Sequence, residues 1–207
     1  MEHSIPVTAL FLDIGGVLLS NGWGHESRKL AAETFDLNPV EMEARHHLNM
    51  ATHEEGKLTL SEYLNRVIFY EKRSFTPDQF QEFMYKQTTP NMEMIKFIKQ
   101  LKEQYKLKIA VINNEGRVLN EYRIRKFKLN QFVDFFISSC FVHYRKPDTD
   151  IFRLALDIAQ TPVEQAVYIE DLQMFVDVAR GMGIRSIHHE NYLSTSEVLA
   201  TMGLKII

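Results

Sequence analysis

Asp13 is the first candidate for chemistry in the sequence, because it ends an uninterrupted apolar stretch and two glycines follow it closely. The apolar residues 9–12 predict a strand that is buried on both faces, in the middle of a parallel sheet. Gly15 and Gly16 allow the backbone to turn sharply and to approach a ligand. A carboxylate in such a place needs a positively charged partner, for which a cation is the obvious candidate. The stretch therefore predicts a functional acid, with an acid that only caps a turn as the alternative.

Further polar groups follow other apolar runs, namely Asn113, a loop that contains Lys146, and the pair Glu170-Asp171. In a parallel sheet the carboxyl ends of the strands share one edge, so these groups and Asp13 can meet around one crevice. Three acids close together repel one another unless a cation joins them, and hard oxygen ligands suit Mg²⁺. A lysine and an asparagine add hydrogen-bond donors for a bound oxyanion. Together these residues predict a site for phosphoryl transfer.

The segments that must position these groups alternate between short apolar runs and amphipathic stretches. The apolar runs predict strands at 9–12, at 107–112, within 132–139, at 166–169 and at 184–188. Helical patterns separate them, over 91–105 and 117–127, from Asp148 onward, around 176–182 and from Ser194 onward. Strands that alternate with helices are typical of an α/β fold with a doubly wound parallel sheet.

A long helical segment interrupts this alternation after the first strand. Residues 20–90 show helical patterns without a strand pattern, including the capping boxes Thr59-Leu-Ser-Glu62 and Thr76-Pro-Asp-Gln79. A weaker stripe predicts the apolar side of another helix, formed by Met42, Ala44, Leu48 and Met50. We therefore predict two modules, an α/β core made of residues 1–19 and 91–207, and a small helical cap domain made of residues 20–90.

The composition of the 207-residue chain is that of an ordinary globular protein, with 45% hydrophobic and 25% charged residues. A net charge of −3 gives no bulk attraction to nucleic acid, and no apolar run approaches the length of a membrane helix. The start of the chain lacks the apolar core of a signal peptide, and the single Cys140 cannot form an internal disulfide. We expect a cytoplasmic protein that binds neither nucleic acid nor membrane, as a monomer or a homodimer.

Four motifs follow one another along the chain: Phe11-Leu-Asp-Ile-Gly-Gly-Val17, Ile109-Ala-Val-Ile-Asn-Asn114, Arg145-Lys-Pro-Asp-Thr-Asp-Ile-Phe152 and Val167-Tyr-Ile-Glu-Asp171. In this order and spacing they resemble the motifs of the haloacid dehalogenase (HAD) superfamily, in the branch with a helical cap after the first strand. The segment Gly56-Lys-Leu-Thr-Leu-Ser-Glu-Tyr-Leu64 is similar to a recurrent cap sequence. The resemblance covers nearly the whole chain. It implies a Rossmann-type core, a Mg²⁺ cofactor and hydrolysis of a small phosphorylated metabolite.

The resemblance also implies a nucleophile and a set of metal ligands. Asp13 would attack phosphorus and form an aspartyl-phosphate, a form of covalent catalysis, and it would also bind Mg²⁺. Gly15 would supply a further ligand through its backbone oxygen. Asp171 would be the main acidic ligand from the last motif, with Glu170 beside it.

The phosphate site is implied in the same way. Lys146 would neutralise charge on the nucleophile and the phosphoryl oxygens, while Asn113, the Asn114 amide and Gly15 would hold the phosphate. Two positions depart from the family pattern. Gly15 stands where many family phosphatases have a second aspartate that acts as general acid and base, which is typically worth ~10²–10⁴-fold in rate. Asn113 stands where the family normally has serine or threonine.

These departures leave alternatives to a magnesium-dependent phosphatase. One is a catalytically weak or inactive module that binds a phosphorylated ligand, which the residues at Gly15 and Asn113 motivate. Another is a 2-haloacid dehalogenase, which uses the same nucleophile in the same superfamily but works without magnesium. The adjacent acids Glu170 and Asp171 argue against the dehalogenase.

Other reactive residue types are interpreted as structural or as substrate contacts. The histidines at positions 46, 47 and 53 share one helical stretch without an acid or cysteine at the usual ligand spacing, so we expect cap core or surface residues. Cys140 has no evident histidine partner, which indicates a structural thiol. Trp23 and His25 follow the first motif closely and are candidates for contacts with substrate.

Overall fold

The structure, a computed structural model, describes residues 5–206 and contains a five-stranded parallel sheet. Its strands are β1 (Ala9–Leu12), β2 (Lys108–Asn113), β3 (Phe135–Ser138), β4 (Ala166–Glu170) and β5 (Arg185–His188). Their order in space is β3-β2-β1-β4-β5, so the chain winds outward in both directions from a central first strand. The predicted doubly wound α/β fold is confirmed. Residues 1–4, part of the segment predicted not to be a signal peptide, lie outside the described residues.

Ten α-helices accompany the sheet in the described part of the chain. They are α1 (His25–Thr34), α2 (Pro39–Glu54), α3 (Leu60–Val67), α4 (Pro77–Lys86), α5 (Met92–Tyr105), α6 (Arg117–Lys126), α7 (Ser139–Val142), α8 (Thr149–Ala159), α9 (Gln173–Gly181) and α10 (Tyr192–Thr201). Among residues 5–206, none of these helices combines the length and the hydropathy needed to cross a membrane.

Strand β1 is buried on both faces because its side chains alternate between two apolar layers. Leu10 and Leu12 belong to one layer, together with residues of α5 such as Phe97. Ala9 and Phe11 belong to the other layer, which includes residues of α8. Asp13 therefore directly follows a strand that is buried on both faces.

The helices α1–α4 lie in the chain between β1 and α5 and have an apolar core of their own, to which Leu119 of α6 also contributes. The two connections to this insert run side by side. The Ser20 N–H donates to the Thr89 carbonyl, and the Asn91 N–H donates to the Leu18 carbonyl. The division into a cap of residues 20–90 and a core made of the remainder stays a prediction.

Two details of the predicted helices were wrong. The apolar stripe assigned to α2 is wrong at Ala44 and Leu48, which are exposed. Met42 of that stripe is buried, and the helix buries His46 and His53 with it. The polar helical stretch of the cap thus turns two histidines inward, where they find hydrogen-bond partners. The last helix begins before Ser194, because the side chain of Asn191 accepts from the Ser194 N–H and caps the helix earlier.

Tyr63 of α3 is completely buried at the centre of the insert, and its hydroxyl is hydrogen-bonded on both sides. The indole N–H of Trp23 donates to the Tyr63 oxygen over 2.9 Å, and Nδ1 of His46 lies 2.7 Å from the same oxygen. Buried polar groups lose their water, so each of these partners depends on the hydroxyl.

We expect Tyr63→Phe to lower the free energy of unfolding by about 1–3 kcal/mol, because it leaves two buried polar groups without a partner. Urea denaturation of the wild type and the variant measures the difference. The matched control is Tyr144→Phe, which removes a hydroxyl from a side chain that is 44% exposed. Equal stability changes in the two variants would contradict the buried role of the Tyr63 hydroxyl.

Candidate functional site

The candidate site contains three carboxylates at the carboxyl ends of two adjacent strands. Asp13 follows β1, and Glu170 and Asp171 end and follow β4, which pairs with β1 in the sheet. Each of the three residues offers one oxygen atom, and these oxygens lie within 4.8 Å of one another. The expected meeting of these acids at one edge of the sheet is what the structure contains.

Lys146 lies between two of these acids and is almost completely buried, with 1% of its surface exposed. Its Nζ is 2.6 Å from Oε2 of Glu170 and 3.2 Å from Oδ2 of Asp13. The hydroxyl of Tyr168 donates to the same oxygen of Glu170, and the Leu172 N–H donates to the other oxygen. Both oxygens of Glu170 are therefore already engaged within the protein.

The pKa values of the three acids are shifted in different directions. Burial raises the pKa of Asp13 well above its usual value, and the charge of Glu170 adds to this, while Lys146 opposes it. Burial and a hydrogen bond with Glu170 raise the pKa of Asp171 to about 6. Burial also acts on Glu170, but the charge and hydrogen bond of Lys146 outweigh it and hold its pKa below the usual value.

Burial, with a smaller contribution from Glu170, disfavours the charged forms of Asp13 and Asp171. Asp13 and Asp171 are the two acids whose charged forms are disfavoured in the protein alone, and a divalent cation between them would remove that penalty. Closely spaced carboxylate oxygens are the hard ligands that Mg²⁺ prefers. The donor set of Asp13 and Asp171 therefore fits the predicted metal.

The two glycines after Asp13 make room for the other site residues. Gly16 has a φ of +70°, and a Cβ atom there would lie 2.1 Å from Oδ2 of Asp171. The same Asp171 oxygen accepts from Nδ2 of Asn21 over 3.2 Å. A Cβ atom on Gly15 would lie 2.7 Å from Oδ1 of Asn21. The Asn21 side chain therefore lies beside Gly15, the position at which the family resemblance implies an aspartate in many phosphatases.

Asn21 is a site residue that the sequence interpretation missed. Its only signal was its place in the loop shortly after the first motif, which does not distinguish it from its neighbours.

Asn113 and Asn114 both use their side chains inside the protein. Asn113 accepts from the hydroxyl of Ser138 over 2.7 Å and donates to Asn120 over 3.0 Å. Asn114 donates to the Lys146 carbonyl and accepts from the Lys146 N–H, each over 2.8 Å. This pair of bonds fixes the backbone of the lysine whose ammonium group reaches the acids. The roles of Asn113 and Asn114 in holding phosphate stay predictions.

A cavity of about 700 Å³ lies next to these residues and is lined on its other side by residues of the helical insert. Asp13, Gly15 and Lys146 line its core side, and Trp23 and His25, the two candidates for substrate contacts, line its other side. Its size is that of a typical small-molecule site.

Two arginines that line the cavity, Arg28 and Arg145, are each paired with an acid. Arg28 donates from Nε and from a terminal nitrogen to the two oxygens of Glu43, at 2.7 and 3.1 Å. Arg145 donates twice to Oε2 of Glu54, at 2.7 and 3.0 Å, and so joins the core to the end of α2. These pairs neutralise the positive charges of Arg28 and Arg145 at the wall of the cavity.

Cys140 is buried, and burial raises the pKa of its thiol to about 12, so it stays protonated at neutral pH. This agrees with the interpretation of a structural thiol, because the thiolate is the nucleophilic form of cysteine.

We expect Gly16→Ala to lower the free energy of unfolding by at least about 1 kcal/mol, because a Cβ there overlaps Asp171 and the positive φ disfavours alanine. The control is Gly181→Ala, where a Cβ atom meets nothing within 4 Å. Chemical denaturation of both variants measures the effect. If Gly16→Ala is as stable as Gly181→Ala, the close packing of Gly16 against Asp171 is incorrect.

His46 gives the protein a specific dependence on pH. Burial and the charge of Arg28 lower its pKa from 6.5 to about 3, so it is neutral in the folded protein. Below pH 6.5 the imidazole of His46 takes up a proton in the unfolded chain but stays neutral in the folded protein. The free energy of unfolding therefore decreases as the pH falls.

Relative to His46→Gln, which cannot take up this proton, the wild type should lose about 1.4 kcal/mol between about pH 7.5 and about pH 5.5. Urea denaturation of both proteins at the two pH values measures this difference. A constant difference between them would show that His46 titrates normally in the fold.

Comparisons with known proteins give one family and one fold. The profile of the haloacid dehalogenase-like hydrolases matches residues 24–189. No curated protein matches the chain. At the low identities that follow, likeness to a solved structure supports the fold alone.

A HAD family enzyme from Bacteroides thetaiotaomicron, in complex with magnesium and inorganic phosphate, superposes with a TM-score of 0.72 at 18% identity, covering 90% of this chain and 97% of that one. A HAD-like family hydrolase from Porphyromonas gingivalis gives a TM-score of 0.73 at 17% identity, with coverage of 95% and 98%. An L-2-haloacid dehalogenase gives 0.65 at 14% identity, with coverage of 88% and 86%.

The family profile spans most of the chain, and the parallel sheet with helices inserted after its first strand agrees with it. The protein therefore belongs to the haloacid dehalogenase-like hydrolases.

Proposed function

We propose that this hydrolase is a Mg²⁺-dependent phosphatase that acts on a small phosphorylated metabolite. The observation that carries the proposal is the environment of Asp13. Its Oδ2 lies 3.2 Å from the buried ammonium of Lys146, and it has an oxygen within 4.8 Å of oxygens from Glu170 and Asp171. A carboxylate with a lysine on one side and acids suited to a cation on the other is equipped for phosphoryl transfer.

In the proposed reaction a carboxylate oxygen of Asp13 forms a bond to phosphorus while the bond between phosphorus and the leaving alcohol oxygen breaks. Lys146 lies against the reacting carboxylate and would neutralise charge on the phosphoryl oxygens. The alcohol takes its proton from water. A further water then attacks the aspartyl-phosphate, which releases inorganic phosphate and regenerates the carboxylate.

Asp13, Asp171 and the backbone oxygen of Gly15 are the groups that would hold Mg²⁺. Bound there, the ion would supply positive charge to the phosphoryl oxygens. We assign Glu170 chiefly to holding Lys146, because Oε2 of Glu170 accepts from that lysine over 2.6 Å and its other oxygen accepts from a backbone N–H. The family resemblance implies that Glu170 is a metal ligand beside Asp171, whereas we propose that it mainly binds Lys146.

Two proteins of the same fold bear on the choice between a phosphatase and a dehalogenase reaction. The enzyme from Bacteroides thetaiotaomicron, which has the same fold, was crystallised with magnesium and inorganic phosphate. The L-2-haloacid dehalogenase also has this fold. A cluster of three carboxylates around one lysine favours the first kind of chemistry, because their mutual repulsion calls for a cation.

The glycine at position 15 limits the proposed activity. No side chain there can donate a proton to the leaving group, and Asn21 beside it is not ionisable. We therefore infer that substrates with acidic leaving groups, such as aryl phosphates, are hydrolysed faster than simple alkyl phosphates.

The test is the release of phosphate from 4-nitrophenyl phosphate. We expect turnover that requires Mg²⁺, stops with a chelator and falls by roughly 10³-fold or more in Asp13→Asn, because the amide is a poor nucleophile. The matched control is Asp157→Asn, since Asp157 is exposed on α8 and remote from the cavity lining, and it should keep wild-type activity.

Two other outcomes would contradict the proposal. Calorimetric binding of Mg²⁺ and phosphate without turnover on a panel of phosphate esters would support the binding module instead. Release of chloride from a 2-chloroalkanoate in the presence of chelator would support the dehalogenase.

A further inference from the structure

The hydrogen bonds of Tyr63 determine which nitrogen of His46 carries the proton. The indole of Trp23 can only donate, so the Tyr63 oxygen accepts from it. The hydroxyl hydrogen of Tyr63 is then directed to its other neighbour, Nδ1 of His46, 2.7 Å away. Because Nδ1 accepts, the single proton of the neutral imidazole is on Nε2. His46 lines the cavity, so it offers an N–H donor there.

His53, about two turns further along α2, has the opposite arrangement. Its Nδ1 lies 3.2 Å from the carbonyl oxygen of Leu58, which can only accept, so Nδ1 carries the proton. Burial lowers the pKa of this imidazole and keeps it neutral, which leaves a lone pair on Nε2. The ring stacks on Tyr63 with 4.4 Å between ring centres, and His53 also lines the cavity.

These bonds make Nε2 a donor in His46 and an acceptor in His53, and both residues line the same cavity. Nε2 of His53 also packs against Gly116, where a Cβ atom would lie 2.0 Å from it. Within residues 5–206, no side chain or backbone group pairs with Nε2 of either ring. A hydroxyl group can both accept and donate a hydrogen bond. Hydroxyl groups on the substrate would satisfy both nitrogens at once.

We propose that His46 and His53 are specificity residues that bind hydroxyl groups on the leaving group, and that the substrates are phosphates of polyols or sugars. This rests on the proposed phosphatase function. The pairing of Arg28 with Glu43 and of Arg145 with Glu54 supports a neutral partner, because it leaves little free positive charge for a second anionic group. Trp23 and Tyr63 act as positioning residues that hold His46 in the donor form.

The test compares matched ligands as competitive inhibitors of 4-nitrophenyl phosphate hydrolysis, so that their own turnover does not matter. The pairs are glycerol phosphate with propyl phosphate, and a hexose 6-phosphate with hexyl phosphate. We expect at least one hydroxylated ligand to bind roughly 10- to 100-fold more tightly than its apolar partner, because the apolar ligand leaves buried nitrogens unpaired.

The variants separate the two histidines. His46→Phe and His53→Phe keep an aromatic ring but remove the donor and the acceptor, and each should reduce the preference at least severalfold. His46→Gln places an amide N–H near the position of Nε2 and should restore most of it. Circular dichroism and 4-nitrophenyl phosphate turnover report whether each variant is folded and has an intact phosphoryl site.

Three results are distinguishable. If wild-type protein hydrolyses 4-nitrophenyl phosphate but neither pair shows a preference, the histidine proposal is wrong and the phosphatase stands. A preference that survives both phenylalanine substitutions also overturns it. If no phosphate ester is hydrolysed, the phosphatase proposal fails, and calorimetry with the same ligand pairs still decides whether the histidines select hydroxyl groups.

Discussion

The ammonium group of Lys146, enclosed between Asp13 and Glu170, is the interaction on which the rest of the site depends. A buried charge is tolerated only when it is paired, and removing one partner of such a pair typically costs about 3–5 kcal/mol. Here one cation links the ends of β1 and β4 to the loop before α8. The side chain of Asn114, the residue after β2, forms two hydrogen bonds with the backbone of Lys146 and so connects the lysine to this strand as well. The edge of the sheet is thereby drawn together around one positive charge.

That charge does not balance the acids around it. Glu170 is satisfied by Lys146, whereas burial raises the pKa values of Asp13 and Asp171. The protein thus holds two carboxylates where burial disfavours their charged forms and where an added cation would stabilise them. Gly16 permits this approach, since only a residue without a side chain leaves room for Asp171.

The helical insert contributes a different kind of chemistry to the same cavity. Arg28 of the insert is neutralised by Glu43, and the buried His46 and His53 are uncharged. What it offers a ligand is a set of directed hydrogen bonds, oriented through the buried hydroxyl of Tyr63. In the proposed complex, the residues at the strand ends would bind the charged groups, and the insert would form hydrogen bonds with the polar groups on the rest of the ligand.

The sequence predicted the fold well because the determining signals are local. The uninterrupted apolar run at 9–12 is typical of a central strand. Because parallel strands have their carboxyl ends at one edge of the sheet, the proximity of Asp13 to Glu170 and Asp171 could be predicted. The hydrogen bonds of Asn21 with Asp171 and of Asn114 with Lys146 could not be predicted, because they join residues that are far apart in the chain. Periodicity failed for α2, where His46 and His53 take buried places that apolar residues were expected to fill.

The central claim is that Asp13 and Asp171 share one divalent cation, and a crystal soaked with Mn²⁺ in place of Mg²⁺ tests it most directly. The account predicts one anomalous peak in the cavity, contacted by an oxygen of each of these two residues at about 2.0–2.4 Å, and no such peak in crystals of Asp171→Asn. A saturated crystal without a peak between the two carboxylates would contradict it.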